Sequence, residues 1–235
     1  MRDAADGGCV TSPLLYDLFC GAGGAARGYA DMGFEVVGVD LNPQPHYPYR
    51  FIRADALEFI AATIAGEHPM PDAWHASPPC QGYSIMNNLP WLRHKTYPLL
   101  ILPTLELLEV TCKPYVLENV MGARHGAKGL AKRGLEAHGL KAGWLCGGMF
   151  GLPFYRHRLF AANWLWLAPE HPKHTLNLHP RSERWVYGGT IKGLPGGTAG
   201  LDVKPTPANW QGNGAQANGV GVGHAAGWRL AAEAM

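Results

Sequence analysis

Between residues 14 and 40 the chain runs from a short apolar segment, LLYDLF, through a glycine-rich turn, CGAGG, into AARGYADMG and then EVVGVD. An apolar run of strand length, closed by glycines, then a helix-length segment ending at Gly33, then a second apolar run ending in an acid, is the pattern of a strand–turn–helix–strand unit. The pattern continues. YRFIRAD (49–55), DAWHAS (72–77) and PYVLENV (114–120) read as further strands, and ALEFIAATIAG reads as a helix. YPLLILPTLELLEVTC is helical in length, with Pro103 expected to kink it. GWLCGGMFGLPF and RHRLFAANW read as a late β-ribbon. Strands alternating with helices predict an α/β fold with a doubly wound, mostly parallel sheet. The apolar share of 47% is enough to fill its core.

Glycines 21, 23 and 24 lie where the first strand turns into the first helix. Glycine lets a ligand approach the backbone, and a helix start offers unpaired N–H groups. Asp40 ends the second strand, where an acid can hold ribose hydroxyls. Asp55 ends the third predicted strand and could accept from an adenine amino group. The turn lacks the full GxGxxG spacing and holds no lysine for phosphate. A nucleoside carrying a carboxylate and an amine, as in S-adenosylmethionine, suits it better than a dinucleotide. The alternative is tight packing with two strand-end acids.

SPPCQGYS (77–84) sets Cys80 behind two prolines, after the fourth strand. That is the carboxyl edge, where open α/β sheets bind ligands. A thiol held there could serve as a nucleophile; an inert turn cysteine is the alternative. Glu118, near the end of the fifth strand, would share this edge and, shielded from water, could hold a proton. Otherwise it caps a helix or pairs with a base. Arg156 and Arg158 alternate, so they would face the same way, toward a polar substrate or toward solvent.

The blocks DLFCGAGGAARG, SPPCQGYS, LENV and GLPFYRHRLF, in this order over residues 14–163, resemble the signature blocks of C5-cytosine DNA methyltransferases. The resemblance implies a Rossmann-like, S-adenosylmethionine-dependent domain over 1–163, a short target-recognition region over 164–222, and a C-terminal helix over 223–235 that returns to the catalytic domain. It implies that Cys80 attacks C6 of a cytosine flipped out of double-stranded DNA. Glu118 would hold or protonate N3, Arg158 would contact the base oxygen, and Arg156 would support it. Residues 83–96 would close over the DNA. Around the cofactor, Phe19 would pack on the ligand, Gly21 and Gly23 would admit it, Asp40 would take the ribose and Asp55 the adenine, with Pro79 lining the pocket. Phe154 stands in the place of a usual glutamine, Asp40 in that of a glutamate, and Leu41 where an aromatic often stacks. The family's last Gly-Asn block is not found after HAAGWRLAAEAM. A monomer with a pocket open on one side, or a chain completed by a partner, is therefore expected, as in a compact phage or bacterial member. A silent DNA- or cofactor-binding relative and an RNA cytosine methyltransferase are the competing readings.

Charge is uneven along the chain. Residues 1–120 hold 7 basic and 13 acidic side chains, whereas residues 121–200 hold 11 and 3. A basic second half suits a phosphate-bearing partner or is a solvated surface. The five cysteines are widely spaced, form no CxxC pair and read as reduced thiols in a cytoplasmic protein, so a zinc site from these alone is not expected. His171, His174 and His179 lie between prolines at irregular spacing and read as exposed loop histidines, with a metal site there as the alternative; no metal is expected. The N-terminus lacks the features of a signal peptide, and no apolar run is long enough to span a membrane.

Overall fold

The computed structural model describes residues 12–84, 94–125, 139–150 and 156–174. Their elements are β1 (Leu14–Leu18), α1 (Gly24–Asp31), β2 (Glu35–Asp40), β3 (Arg50–Arg53), α2 (Ala56–Ile64), β4 (Ala73–Ala76), α3 (Ile101–Val110), β5 (Tyr115–Asn119), the single turn α4 (Gly122–His125), β6 (Lys141–Cys146) and β7 (His157–Ala162). A 3₁₀ turn, Gly147–Phe150, follows β6. The strands form one seven-stranded sheet in the order β3-β2-β1-β4-β5-β7-β6. The first five are parallel, and β7 runs antiparallel between β5 and β6. The α/β reading holds, and the late ribbon is the β6–β7 pair.

Side-chain alternation along the strands gives the sheet two apolar faces. On one, Tyr16, Leu18, Val37, Val39, Trp74 and Leu117 pack with Phe59 and Ile60 of α2 and Leu105 and Leu108 of α3. On the other, Leu15, Val36, Val116 and Phe160 pack with Ala25, Ala26 and Tyr29 of α1. Helices on both faces leave the strand ends as the accessible edge, where β1 leads into the glycine turn, β4 into the Cys80 turn, and β5 ends with Glu118 and Asn119. Pro103 does not kink α3. The helix begins at Ile101, so the proline falls in the first turn, where its missing N–H has no helical acceptor to lose. Among the described residues no helix is long and apolar enough to cross a membrane. The segment 85–93, most of the recognition region and the C-terminal helix lie outside the described residues.

Candidate active site

The glycine turn is shaped by three residues in the left-handed region: Phe19 (φ 57°), Gly21 (φ 50°) and Gly23 (φ 84°). The two glycines differ in surroundings. A methyl group on Gly21 would meet no described atom within 4 Å, whereas one on Gly23 would lie 2.8 Å from Pro48 and 3.1 Å from the Tyr47 ring. Gly21 is therefore the position open to a ligand, and Gly23 is required by packing. Phe19 is half-buried beside this opening, and its carbonyl accepts the Ser77 hydroxyl at 3.2 Å.

Asp40 closes β2 as expected. Its Oδ2 accepts the Gly21 N–H at 3.1 Å, and its Oδ1 accepts that of Asn42 at 2.9 Å. The carboxylate thus holds the glycine turn in place, and its remaining lone pairs suit ribose hydroxyls. Asp55 does not end a strand. Arg53 is the last residue of β3, and Asp55 caps α2, its Oδ1 accepting from Leu57 N at 2.9 Å and Glu58 N at 3.2 Å. Leu41, next to Asp40, is 60% exposed.

Sequence reasoning missed the polar group beneath the turn. Asp17 is fully buried, its Oδ2 accepts the Tyr47 hydroxyl at 3.3 Å, and its Oδ1 lies 3.9 Å from His75 Nε2. Burial raises this carboxyl well above the usual carboxylate range. The aspartate of DLF was legible in the sequence, but its partners come from a loop and a strand far along the chain.

Cys80 follows β4 and the buried Pro78, with Pro79 and Cys80 half-buried. Its carbonyl accepts the N–H groups of both Tyr83 and Ser84 at 3.0 Å, so the turn is closed on itself. Asn119, at the end of β5, donates Nδ2 to the Pro78 carbonyl at 2.9 Å and accepts the Val120 N–H at 2.9 Å. This bond ties the cysteine turn to the strand that carries Glu118. Glu118 forms an ion pair with Arg158, Nε to Oε1 2.9 Å, across the β5–β7 register. Burial pushes its carboxyl up from the ordinary value, although the charges of Arg158 and Arg156 and the Arg158 contact pull the other way. Arg156, just before β7, is itself lowered to about 10, by burial first and by the Arg158 charge next, with Glu118 and Cys80 opposing. All four residues expected to act on a base are therefore gathered at one sheet edge: a thiol, a carboxyl raised from its ordinary value, and two guanidinium groups.

The histidines after β7 correct the sequence reading. His171 and His174 are half-buried, not exposed, and lie against His157 of β7 and Cys146 of β6. His179 lies outside the described residues.

A family model for the C-5 cytosine-specific DNA methylase matches residues 15–162. A search among curated proteins found no match. Similar solved structures include a DNA modification methyltransferase encoded within a prophage of E. coli (21% identity, TM-score 0.48, covering 64% of this chain and 46% of that one). Two others are the Dnmt2 methyltransferase of S. pombe (17%, 0.47, 66% and 51%) and DNMT2 of Spodoptera frugiperda, as a mutant (17%, 0.48, 75% and 55%). The chain spans about half the length of these proteins. The matched region runs from β1 through β7 and takes in the glycine turn, the cysteine turn, Glu118 and both arginines. The chain belongs to the C-5 cytosine-specific DNA methylase family.

Proposed function

We propose that this chain methylates C5 of a cytosine flipped out of double-stranded DNA, through a covalent bond between Cys80 and C6. The observation that carries this reading is the Asn119–Pro78 bond, which couples the Cys80 turn to the strand bearing the Glu118–Arg158 pair. C5 of cytosine is a poor nucleophile until C6 is substituted. Attack by the Cys80 thiolate on C6, with Glu118 donating a proton to N3, turns the ring into an enamine that is nucleophilic at C5. A carboxyl raised by burial suits that donation. Arg158 would orient Glu118 and contact the base oxygen, and Arg156 would add positive charge beside the thiolate. After C5 is alkylated, loss of the C5 proton to a base expels the Cys80 sulfur, and N3 returns its proton to Glu118.

The residues of the glycine turn fit S-adenosylmethionine, which when bound would supply the methyl group. Gly21 opens onto space, Phe19 offers an apolar face, and Asp40 and Asp55 offer carboxylate oxygens to hydroxyl and amino groups, with Pro79 nearby in sequence to the nucleophile. The segment 83–96 would cover the base, and residues 164–222 would contact DNA. A tritiated-methyl assay on DNA and on transfer RNA tests the reading. Label in DNA that resists removal by denaturant, with a trapped adduct on 5-fluorocytosine DNA, is expected. Label in RNA alone would move the substrate to RNA. No label in either would make the chain a silent relative.

A further inference from the structure

Four side chains outside the proposed active site converge at the far edge of the sheet. Cys146 ends β6, and His157 begins β7 directly opposite it in the antiparallel register. His171 and His174 come from the segment after β7. Trp166 holds that segment back against β6, donating its indole N–H to the Lys141 carbonyl at 2.9 Å. Its ring occupies the space that a side chain on Gly143 would need, 2.8 Å from where a Cβ would stand. Trp144 packs edge-on against both His157 and His171.

The ligand-capable atoms of the four residues lie within 4.8 Å of one another. Cys146 Sγ is 3.6 Å from His174 Nε2, His174 Nε2 is 2.9 Å from His171 Nε2, and His171 Nε2 is 3.3 Å from His157 Nε2. The same ring nitrogen points inward in all three histidines. Hydrogen bonding alone does not explain this. An imidazole nitrogen offers one position in its ring plane, either a proton or a lone pair, so His171 Nε2 cannot serve two nitrogens at once. One cation at the centre would serve all four atoms. With zinc–nitrogen bonds near 2.0–2.1 Å and a zinc–sulfur bond near 2.3 Å, a tetrahedron has edges of about 3.4 Å between nitrogens and about 3.6 Å from sulfur to nitrogen. The observed sulfur–nitrogen separation of 3.6 Å matches its edge, and the nitrogen–nitrogen separations of 2.9 and 3.3 Å are shorter than theirs.

We propose that Cys146, His157, His171 and His174 form a four-ligand site for a divalent transition metal, zinc by the character of its donors. Three imidazoles and one thiolate match zinc rather than magnesium or calcium, which take oxygen. Four protein ligands fill a tetrahedral shell, so the ion's role is structural. It fastens the start of the 164–222 region to the β6–β7 edge. Since His157 stands between Arg156 and Arg158, the same ion would also fix the strand that delivers both arginines.

The test uses the whole chain, purified without a histidine tag. Its metal content is measured by mass spectrometry before and after incubation with zinc, and the zinc is then replaced by cobalt. Stoichiometric zinc is expected. Cobalt should give the intense visible bands of a tetrahedral site together with a thiolate charge-transfer band. Cys146→Ser should remove the charge-transfer band, and His174→Ala should lower zinc affinity at least tenfold. His46→Ala, at an exposed residue outside the cluster, should change neither. A chain that takes up no stoichiometric zinc or cobalt overturns the proposal, as does uptake unaffected by Cys146→Ser and His174→Ala. The cobalt spectrum of the unaltered chain decides the matter even if a variant fails to fold.

Discussion

Asn119 reaches from the end of β5 to the carbonyl of Pro78, two residues before Cys80, with a 2.9 Å hydrogen bond in a fully packed setting. The bond sets the Cys80 turn against the strand that carries Glu118. Asn119→Ala would leave the buried Pro78 carbonyl without this donor, a loss of about 1–3 kcal/mol. We expect a lower denaturant midpoint and a fall in kcat, with KM for DNA little changed. A kcat equal to that of the parent would show that Asn119 only supports the fold.

Cys80→Ser should abolish methyl transfer and leave the far-ultraviolet circular dichroism and melting temperature nearly unchanged. Serine is close in size, but its hydroxyl is a far weaker nucleophile near neutral pH. Steady-state turnover by the serine variant, or failure of the parent chain to form an adduct with 5-fluorocytosine DNA, would exclude the covalent role.

Glu118 gives a pH signature with a definite sign. Its carboxyl is raised from an ordinary value of 4.5 in the folded chain. Between that value and the raised one, the folded chain holds a proton that the unfolded chain has released, so stability falls as pH rises through the window. Asp17, raised for the same reason, contributes with the same sign. Glu118→Gln should flatten the slope by one group's share, measured as denaturant midpoint against pH, and lower turnover by about 10²–10⁴-fold. An unchanged slope would mean that Glu118 is ionised across the whole range, held so by Arg158.

Gly21→Ala and Gly23→Ala should separate ligand access from packing. Both carry strain of about 1–2 kcal/mol from a side chain at positive φ. Gly23→Ala adds a clash with Pro48 and Tyr47 and should lower the melting temperature more. Gly21→Ala points its methyl into the opening and should mainly weaken S-adenosylmethionine binding by calorimetry. Equal effects on affinity would contradict the assignment of Gly21 as the open side.

Asp55→Ala should reduce two quantities together. Loss of the cap on α2 should lower stability by about 0.5–2 kcal/mol, and cofactor affinity should fall as well if Asp55 also meets the adenine. Lower stability with unchanged affinity would confine Asp55 to capping.

The strands were legible because each is a short apolar run punctuated by an acid, a proline or a glycine. EVVGVD is β2 residue for residue, and the Cys80, Glu118 and Arg158 blocks sit at the ends of such runs. What escaped reading depends on contacts between distant parts of the chain. Pro103 was legible as a helix breaker, but its effect depends on where α3 starts. Asp17 pairs with Tyr47 across a loop, and no local pattern marks a buried acid. Cys146, His157, His171 and His174 come from two strands and a returning segment, with no repeat in their spacing; only the fold-back at Trp166 assembles them.

The placement of β7 between β5 and β6 bears on how the chain leaves the ribosome. Among the described strands β6 pairs only with β7, yet it is synthesised first. β5 likewise keeps one edge bare from Asn119 until His157 has emerged, roughly two to eight seconds at elongation rates of about 5–20 residues per second. The half of the sheet bearing the glycine turn can close during that interval, whereas the half bearing the arginines cannot. A nascent chain stalled inside the interval would present a strand edge open to pairing with another chain or to capture by a chaperone. The order of translation thus makes β7, the strand that carries Arg158, the last of the described strands to join this sheet.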